Sequence, residues 1–328
     1  MRAFKRVTGL MMLPAMAIIV ATPVAAQSGN YPVKPIRLIV PFAAGGPMDI
    51  ISRAIGEKMT ASWGQQVVVD NRSGAGGRIG VEVAARSAPD GHTLLTGHIG
   101  THAVNPSLYP KLEYDPVRDF APISLIATLP LGLFVHQSVN ARTVGELLAV
   151  ARQQPGRLNF ATASSGGPTH MAAEMLKSMA SIQITHIPYK GNAAALNALV
   201  AGESQLMFSN LLTGTPHVRS GHLRLLAISS GKRSPQAPDL PTVAESGLAG
   251  YDFTPWYGLL SPAATPGPII TKLHREVVRI IESAEMKTRF ISQGVDLTTS
   301  SPEDFAALIR SEIPKWRKIV KDTGASVG

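Results

Sequence analysis

Three kinds of side-chain chemistry can be sought in this chain: nucleophilic, metal-binding and anion-binding. Ser164 and Ser165 open the stretch Ser164-Ser165-Gly166-Gly167-Pro168-Thr169-His170. A serine nucleophile on a strand-to-helix elbow needs Gly-x-Ser-x-Gly. Thr162 and Ala163 stand where the leading glycine belongs, and a histidine five or six residues on, inside the following helix, is badly placed as a base. An exported serine hydrolase is therefore the weaker alternative. His98 and His102 are spaced to share a helix face as metal ligands, but glycines flank them and no nearby carboxylate completes a site. Loop hydrogen bonding suits them better, and no metal or cofactor is expected. Gly74-x-Gly76-x-x-Ile79 misplaces the third glycine of a dinucleotide fingerprint, and no acidic strand end follows at the usual distance.

Anion binding fits best. Val40-Pro41-Phe42-Ala43-Ala44-Gly45-Gly46-Pro47-Met48-Asp49 joins an apolar β-branched run to a helical pattern. Adjacent glycines let backbone approach a ligand closely. The first N–H groups of the helix lack intrahelical partners and carry partial positive charge. Asp49 is read either as a ligand contact or as a helix cap. Asn159 to His170 repeats the design: strand, small polar and glycine loop, helix N-terminus. Two such loops, one per domain, are suited to hold one anion between them.

These loops need strands and helices to carry them. Ile36–Val40, a helix from Ile50, Gln66–Asp70, a helix from Ile79 to Ala88 and Thr93–Thr96 give a β-α-β-α-β order, hence a parallel sheet covered by helices. Pro122–Thr128 and Leu131–Val135, separated by Pro130, mark a crossing into a second domain. Thr143-Val144-Gly145-Glu146 is a capping box. Further strands are expected at 159–163, 184–189, 205–208 and 223–229. One long amphipathic pattern runs from Pro268 to Gln293. Ser301 caps a last helix that Pro314 should kink or break before Trp316. The closing helices should return to the first domain.

The composition bounds the function. The chain has 328 residues, 45% hydrophobic and 16% charged, enough for two packed domains. With 5% aromatic residues and no dense Lys/Arg cluster it is a poor nucleic-acid binder. Its formal charge is +9, and Arg2, Lys5 and Arg6 belong to the pattern of a cleaved leader: basic start, apolar Leu10–Val20, small residues Val24-Ala25-Ala26. The remaining positive balance favours small anions. There are no cysteines, so no disulfide, thiolate ligand or lipidated anchor. A bacterial periplasm suits such a chain.

Several stretches then resemble one family: Tyr31-Pro32-Val33-Lys34-Pro35-Ile36-Arg37, Pro41 to Asp49, Asp70 to Gly80, Pro89 to Leu94, Asn105-Pro106-Ser107-Leu108-Tyr109, His186 to Gly191 and Pro241 to Glu245. Their order and spacing resemble the extracytoplasmic substrate-binding proteins of tripartite tricarboxylate transporters, the Bug receptors. The resemblance implies a periplasmic-binding-protein-like α/β fold of two Rossmann-like lobes joined by a hinge. The expected division is a signal peptide at 1–26, one lobe at 27–128 with 252–328, and the other at 129–251. It implies no enzyme but a monomeric receptor for a small organic acid (a di- or tricarboxylate, acidic amino acid or aromatic acid), serving membrane permease subunits or, alternatively, a signalling receptor. Carried over, Phe42, Ala43, Gly45, Gly46 and Asp49 line the first side. Thr101 and Asn105 add donors, and Ser164, Ser165, Thr169 and His170 face them. Tyr189 and Ser209 touch the variable end; where many relatives carry an acidic residue this chain has Ser209, against recognition of an amino group there. His170 is alternatively a packed histidine, and Gly74–Gly80 is read as structural.

Overall fold

The computed structural model describes residues 30–234, 237–291 and 294–325. The expected signal peptide, residues 1–26, lies outside the described residues. β1 (Ile36–Val40) is almost wholly buried because a parallel strand covered on both faces reads as a continuous apolar run. It is followed by α1 (Pro47–Trp63), β2 (Val67–Asn71), α2 (Arg78–Ala85) and β3 (Thr93–His98). A π-helical turn at Gly100–Val104 leads into the short α3 (Asn105–Leu108), then β4 (Phe120–Thr128). The chain next builds β5 (Leu131–His136), α4 (Val144–Gln153), β6 (Asn159–Thr162), α5 (Pro168–Ala180), β7 (Thr185–Pro188), α6 (Asn192–Val200), β8 (Leu206–Asn210), α7 (Leu211–Arg219) and β9 (Leu223–Ile228). It closes with β10 (Trp256–Pro262), α8 (Gly267–Ile281), α9 (Ala284–Ile291), β11 (Asp296–Leu297) and α10 (Pro302–Thr323).

Two sheets result, ordered β11-β4-β10-β3-β1-β2 and β7-β6-β8-β5-β9. In each, the strand that opens the parallel set is flanked by the next two: β1 by β2 and β3, β6 by β7 and β8. In each, the fourth strand runs antiparallel, β10 beside β3 and β5 beside β8. The fold is thus two α/β lobes of like topology. The C-terminal ends of β1 and β6, where ligands of such sheets bind, carry the two glycine turns.

The lobes are joined at Leu129–Pro130 and by the return from Ser229 to Pro255. These crossings are bonded to each other: Leu129 N–H donates to Pro255 O (2.8 Å), Ser229 N–H to Leu131 O (2.7 Å) and Ser229 Oγ to Phe253 O (2.7 Å). One buried cluster packs Leu38, Ile51 and Ile55 against Leu273, Val277 and Ile281 of α8. Another runs from Ile39 and Leu95 through Phe305, Ile309 and Trp316 of α10 to Phe160 and Phe208. α10 therefore packs against both lobes.

Three local expectations are corrected. The pattern from 268 to 293 is broken into α8 and α9 at Glu282–Ser283. α10 continues through Pro314 to Thr323, because Trp316 and Ile319 are buried beyond it and Trp316 packs edge-on against Phe253; such packing outweighs a local cost of about 3 kcal/mol. The helix α7 was not expected, since it contains Gly214 and Pro216.

Candidate functional site

The two glycine turns share one backbone solution. Gly45 (φ +85°) and Gly166 (φ +74°) occupy the left-handed region that favours glycine. Gly46 and Gly167 follow in extended conformation as helix caps, without side-chain cap bonds. Pro47 and Pro168 then open the helices, a position that needs no N–H. Each turn is held instead by the third helical residue, which leaves the first helical N–H groups open. Asp49 Oδ2 accepts from Gly45 N–H (2.9 Å), and His170 Nδ1 accepts from Gly166 N–H (2.9 Å).

Each staple is braced from the neighbouring edge strand. Asp49 also accepts from Arg53 Nε (3.0 Å) and from Nδ2 of Asn71, at the end of β2 (3.0 Å); the same Nδ2 donates to Phe42 O (3.0 Å). Burial pushes the Asp49 carboxyl up, but the bonds from Arg53, Gly45 and Asn71 outweigh it and hold it below the usual range. The His170 ring stacks at 4.0 Å on His186 of β7, and its Nε2 lies 3.4 Å from Glu174. Burial, with the nearby His170, lowers His186 to about 4. For Glu174, burial raises the pKa, and bonds from His170 and Lys177 bring it below normal.

Between the lobes lies a cleft of about 260 Å³. The first lobe lines it with Phe42, Gly76, His98, Gly100, Asn105, Leu108 and Tyr109, and the second with residues 164 to 168. No Asp, Glu, Lys or Arg is among these lining residues. The Ser164 and Ser165 hydroxyls and the Tyr109 hydroxyl make no hydrogen bond to the described residues, and the backbone N–H groups of Ala43, Ala44, Ser164 and Ser165 have no acceptor there. Asn105 Nδ2 donates to Gly76 O (3.2 Å), pinning the Gly74 loop to the wall.

Of the expected site residues, Phe42, Asn105, Ser164 and Ser165 stand on this wall. Ala43, Gly45 and Gly46 lie in the adjoining turn without lining the cleft. Asp49 and His170 are buried behind the turns as their staples. Thr169 Oγ1 accepts from Ala163 N–H (3.1 Å) and Thr101 Oγ1 bonds the His98 backbone and His102 Nδ1, so both hydroxyls are engaged internally. Tyr189 packs against the second-lobe cluster that includes Leu196 and Leu199 of α6, and Ser209 is buried, donating to Asn192 Oδ1 (3.0 Å); neither lines the cleft. Sequence reading missed Gly76, His98, Leu108 and Tyr109. The signal for Tyr109 was present: it follows Asn105 by four residues, one helical turn.

The hydrolase geometry is absent: one His170 ring nitrogen takes a backbone N–H, the other faces Glu174, and neither meets a serine hydroxyl. His98 and His102 are both lowered to about 3 by burial and do not converge; His98 Nδ1 takes Gly100 N–H and His102 Nδ1 meets Thr101 Oγ1. Among the described residues no three metal-ligating side chains cluster, and no helix is long and apolar enough to cross a membrane.

Comparison with known proteins accords with this architecture. BugT of Bordetella pertussis is 35% identical over 309 residues, 94% of this chain and 94% of that protein. A structure from R. palustris with adipate superposes with TM-score 0.78 at 34% identity, covering 90% of this chain and 99% of that one. MatC from Rhodopseudomonas palustris with bound malate gives 0.74 at 33%, covering 88% and 100%. The profile of the tripartite tricarboxylate transporter family receptors (TctC) matches residues 51–325, and the chain belongs to that family.

Proposed function

We propose that this chain is a periplasmic receptor that captures a small organic carboxylate between its lobes and delivers it to the membrane subunits of a tripartite transporter, without covalent chemistry. The observation that carries this reading is the pair of stapled Gly-Gly-Pro turns, one from each sheet, beside a shared cleft with no charged side chain on its wall. Helix N-termini with unpartnered N–H groups select an anion without an arginine. The absence of a lining carboxylate disfavours ligands carrying an amino group. A volume of about 260 Å³, below the ~300–1,000 Å³ of drug-sized sites, suits a short acid, and two relatives are solved with the dicarboxylates adipate and malate.

Closure about Leu129–Pro130 and the 229–255 return brings both turns onto one ligand, so binding shifts the population toward the closed state. Each bond to the carboxylate contributes roughly 1.5–3 kcal/mol. Four or five, less desolvation and ordering costs, reach about −8 kcal/mol, micromolar affinity. The export leader is cleaved near Ala26. A thermal-shift screen over mono- and dicarboxylates followed by calorimetry tests the reading. A dose-dependent rise in Tm with the acid recovered unchanged is expected. No stabilising acid, or turnover lost in Ser164→Ala, would overturn it.

A further inference from the structure

His98 ends β3, and its environment fixes its chemistry. The residue is 7% exposed yet lines the cleft, with its ring against Phe42 at 4.7 Å. Nδ1 accepts from Gly100 N–H at 2.6 Å, in the first turn of the π-helical segment. That close approach depends on glycine: a Cβ at position 100 would lie 2.2 Å from His98 Cε1. The backbone is pinned as well, since Thr101 Oγ1 accepts from His98 N–H (3.2 Å) and donates to His98 O (3.1 Å).

A ring nitrogen that accepts a backbone N–H carries no hydrogen, so in the neutral ring the hydrogen sits on Nε2. His98 Nε2 has no partner among the described residues. It is also not among the fully enclosed unpartnered atoms, whereas Nε2 of the neighbouring His102 is. His98 Nε2 therefore retains solvent access on a residue otherwise buried beside the cleft.

We propose that His98 is a specificity-determining residue of this site: locked as the Nε2–H tautomer, it donates that hydrogen to an oxygen of the bound organic acid. This rests on the reading that an acid occupies the cleft. Burial supports it by lowering the imidazole to about 3, which keeps the ring neutral across the working pH range. The donor then persists well below neutral pH. It selects for an acceptor oxygen at the Phe42 wall and against an ammonium or alkyl group.

Two amide replacements separate this role from a structural one. Gln at position 98 carries an N–H donor near the place of Nε2, and Asn carries an acceptor near the place of Nδ1. Calorimetry with adipate and malate on wild type, His98→Gln and His98→Asn is the experiment. His98→Gln is expected to bind the acid on the order of 10- to 100-fold tighter than His98→Asn, the worth of one bond to a charged acceptor. The reverse order, or equal affinities, would overturn the assignment and leave the receptor reading intact. If wild type binds no organic acid in the screen above, both fall together. A second measurement needs no variant: ¹⁵N NMR should show protonated Nε2 and unprotonated Nδ1, with the Nε2–H resonance moving on saturation with the bound acid. A protonated Nδ1, or an unmoved Nε2–H, would also overturn it.

Discussion

The turn after β1 and the turn after β6 align residue for residue, Ala43-Ala44-Gly45-Gly46-Pro47 against Ser164-Ser165-Gly166-Gly167-Pro168, and they differ in two places. The first lobe offers methyl groups where the second offers hydroxyls. The first is stapled by a carboxylate, the second by an imidazole, three residues into the helix in both. The backbone requirement, a left-handed glycine before an extended one, is common. What each lobe adds to it is not. The first turn holds its shape through a charge network of Asp49, Arg53 and Asn71. The second relies on a ring stack of Phe160, His186 and His170, ending at Glu174. The first turn therefore contributes backbone alone, and the second backbone and hydroxyls.

Removing the staples should have the largest effect. Asp49→Ala removes a buried, charged acceptor shared by Gly45 N–H, Arg53 and Asn71, and should cost about 3 kcal/mol in urea unfolding. Gly46→Val tests whether the first turn serves the ligand. A Cβ there meets nothing closer than 3.8 Å, and the backbone is not left-handed, so the fold should tolerate it. Affinity for the acid should nonetheless fall about 100-fold, or ~2.7 kcal/mol; unchanged affinity by calorimetry would remove this turn from the site. His170→Ala leaves Gly166 N–H without its acceptor and Glu174 with Lys177 as its remaining partner, and should cost about 2 kcal/mol, less than Asp49→Ala, by the same unfolding measurement.

Acid should also distinguish the staples. The folded pKa of His186 is depressed from 6.5 to about 4, so between these values the unfolded chain binds a proton that the native chain refuses. Stability is therefore lost as pH falls from 6.5 toward 4, by at most about 1.4 kcal/mol per unit from this group. The first lobe's His98 and His102, lowered to about 3, add to the same slope. Asp49 acts in a separate window. Its carboxyl is depressed, so its contribution is present above 3.8 and disappears only below it. Urea midpoints from pH 7 to 4 should fall steadily, and His186→Phe should flatten the fall. Smallest of all, Ser164→Ala and Ser165→Ala convert the second turn toward the first; each should weaken acid binding about fivefold, ~1 kcal/mol, in calorimetry.

The glycine turns and their flanking strands were legible because their signals are local: β-branched runs, paired glycines and proline at the first helical position. The α/β class followed from element order. α7 was not legible because Gly214 and Pro216 argue against a helix; the cap from Asn210 Oδ1 to Leu212 N–H and its packing on the sheet override them. The roles of Asp49 and His170 were ambiguous because a cap and a ligand contact call for the same residue types. Tyr189 and Ser209 were placed at the cleft by resemblance, while the structure turns them into side-chain packing and hydrogen bonds of the second lobe. His98 was legible only as a histidine engaged in loop hydrogen bonding, because its exposure to the cleft depends on the π-helical turn, which no periodicity announces.

A crystal structure with a bound dicarboxylate such as adipate tests whether the two turns converge on one ligand. One carboxylate should lie within hydrogen-bond distance of backbone N–H groups from both the 43–49 and the 164–170 turns. A carboxylate held by a single lobe, or by surface lysines or arginines away from both turns, would contradict the account.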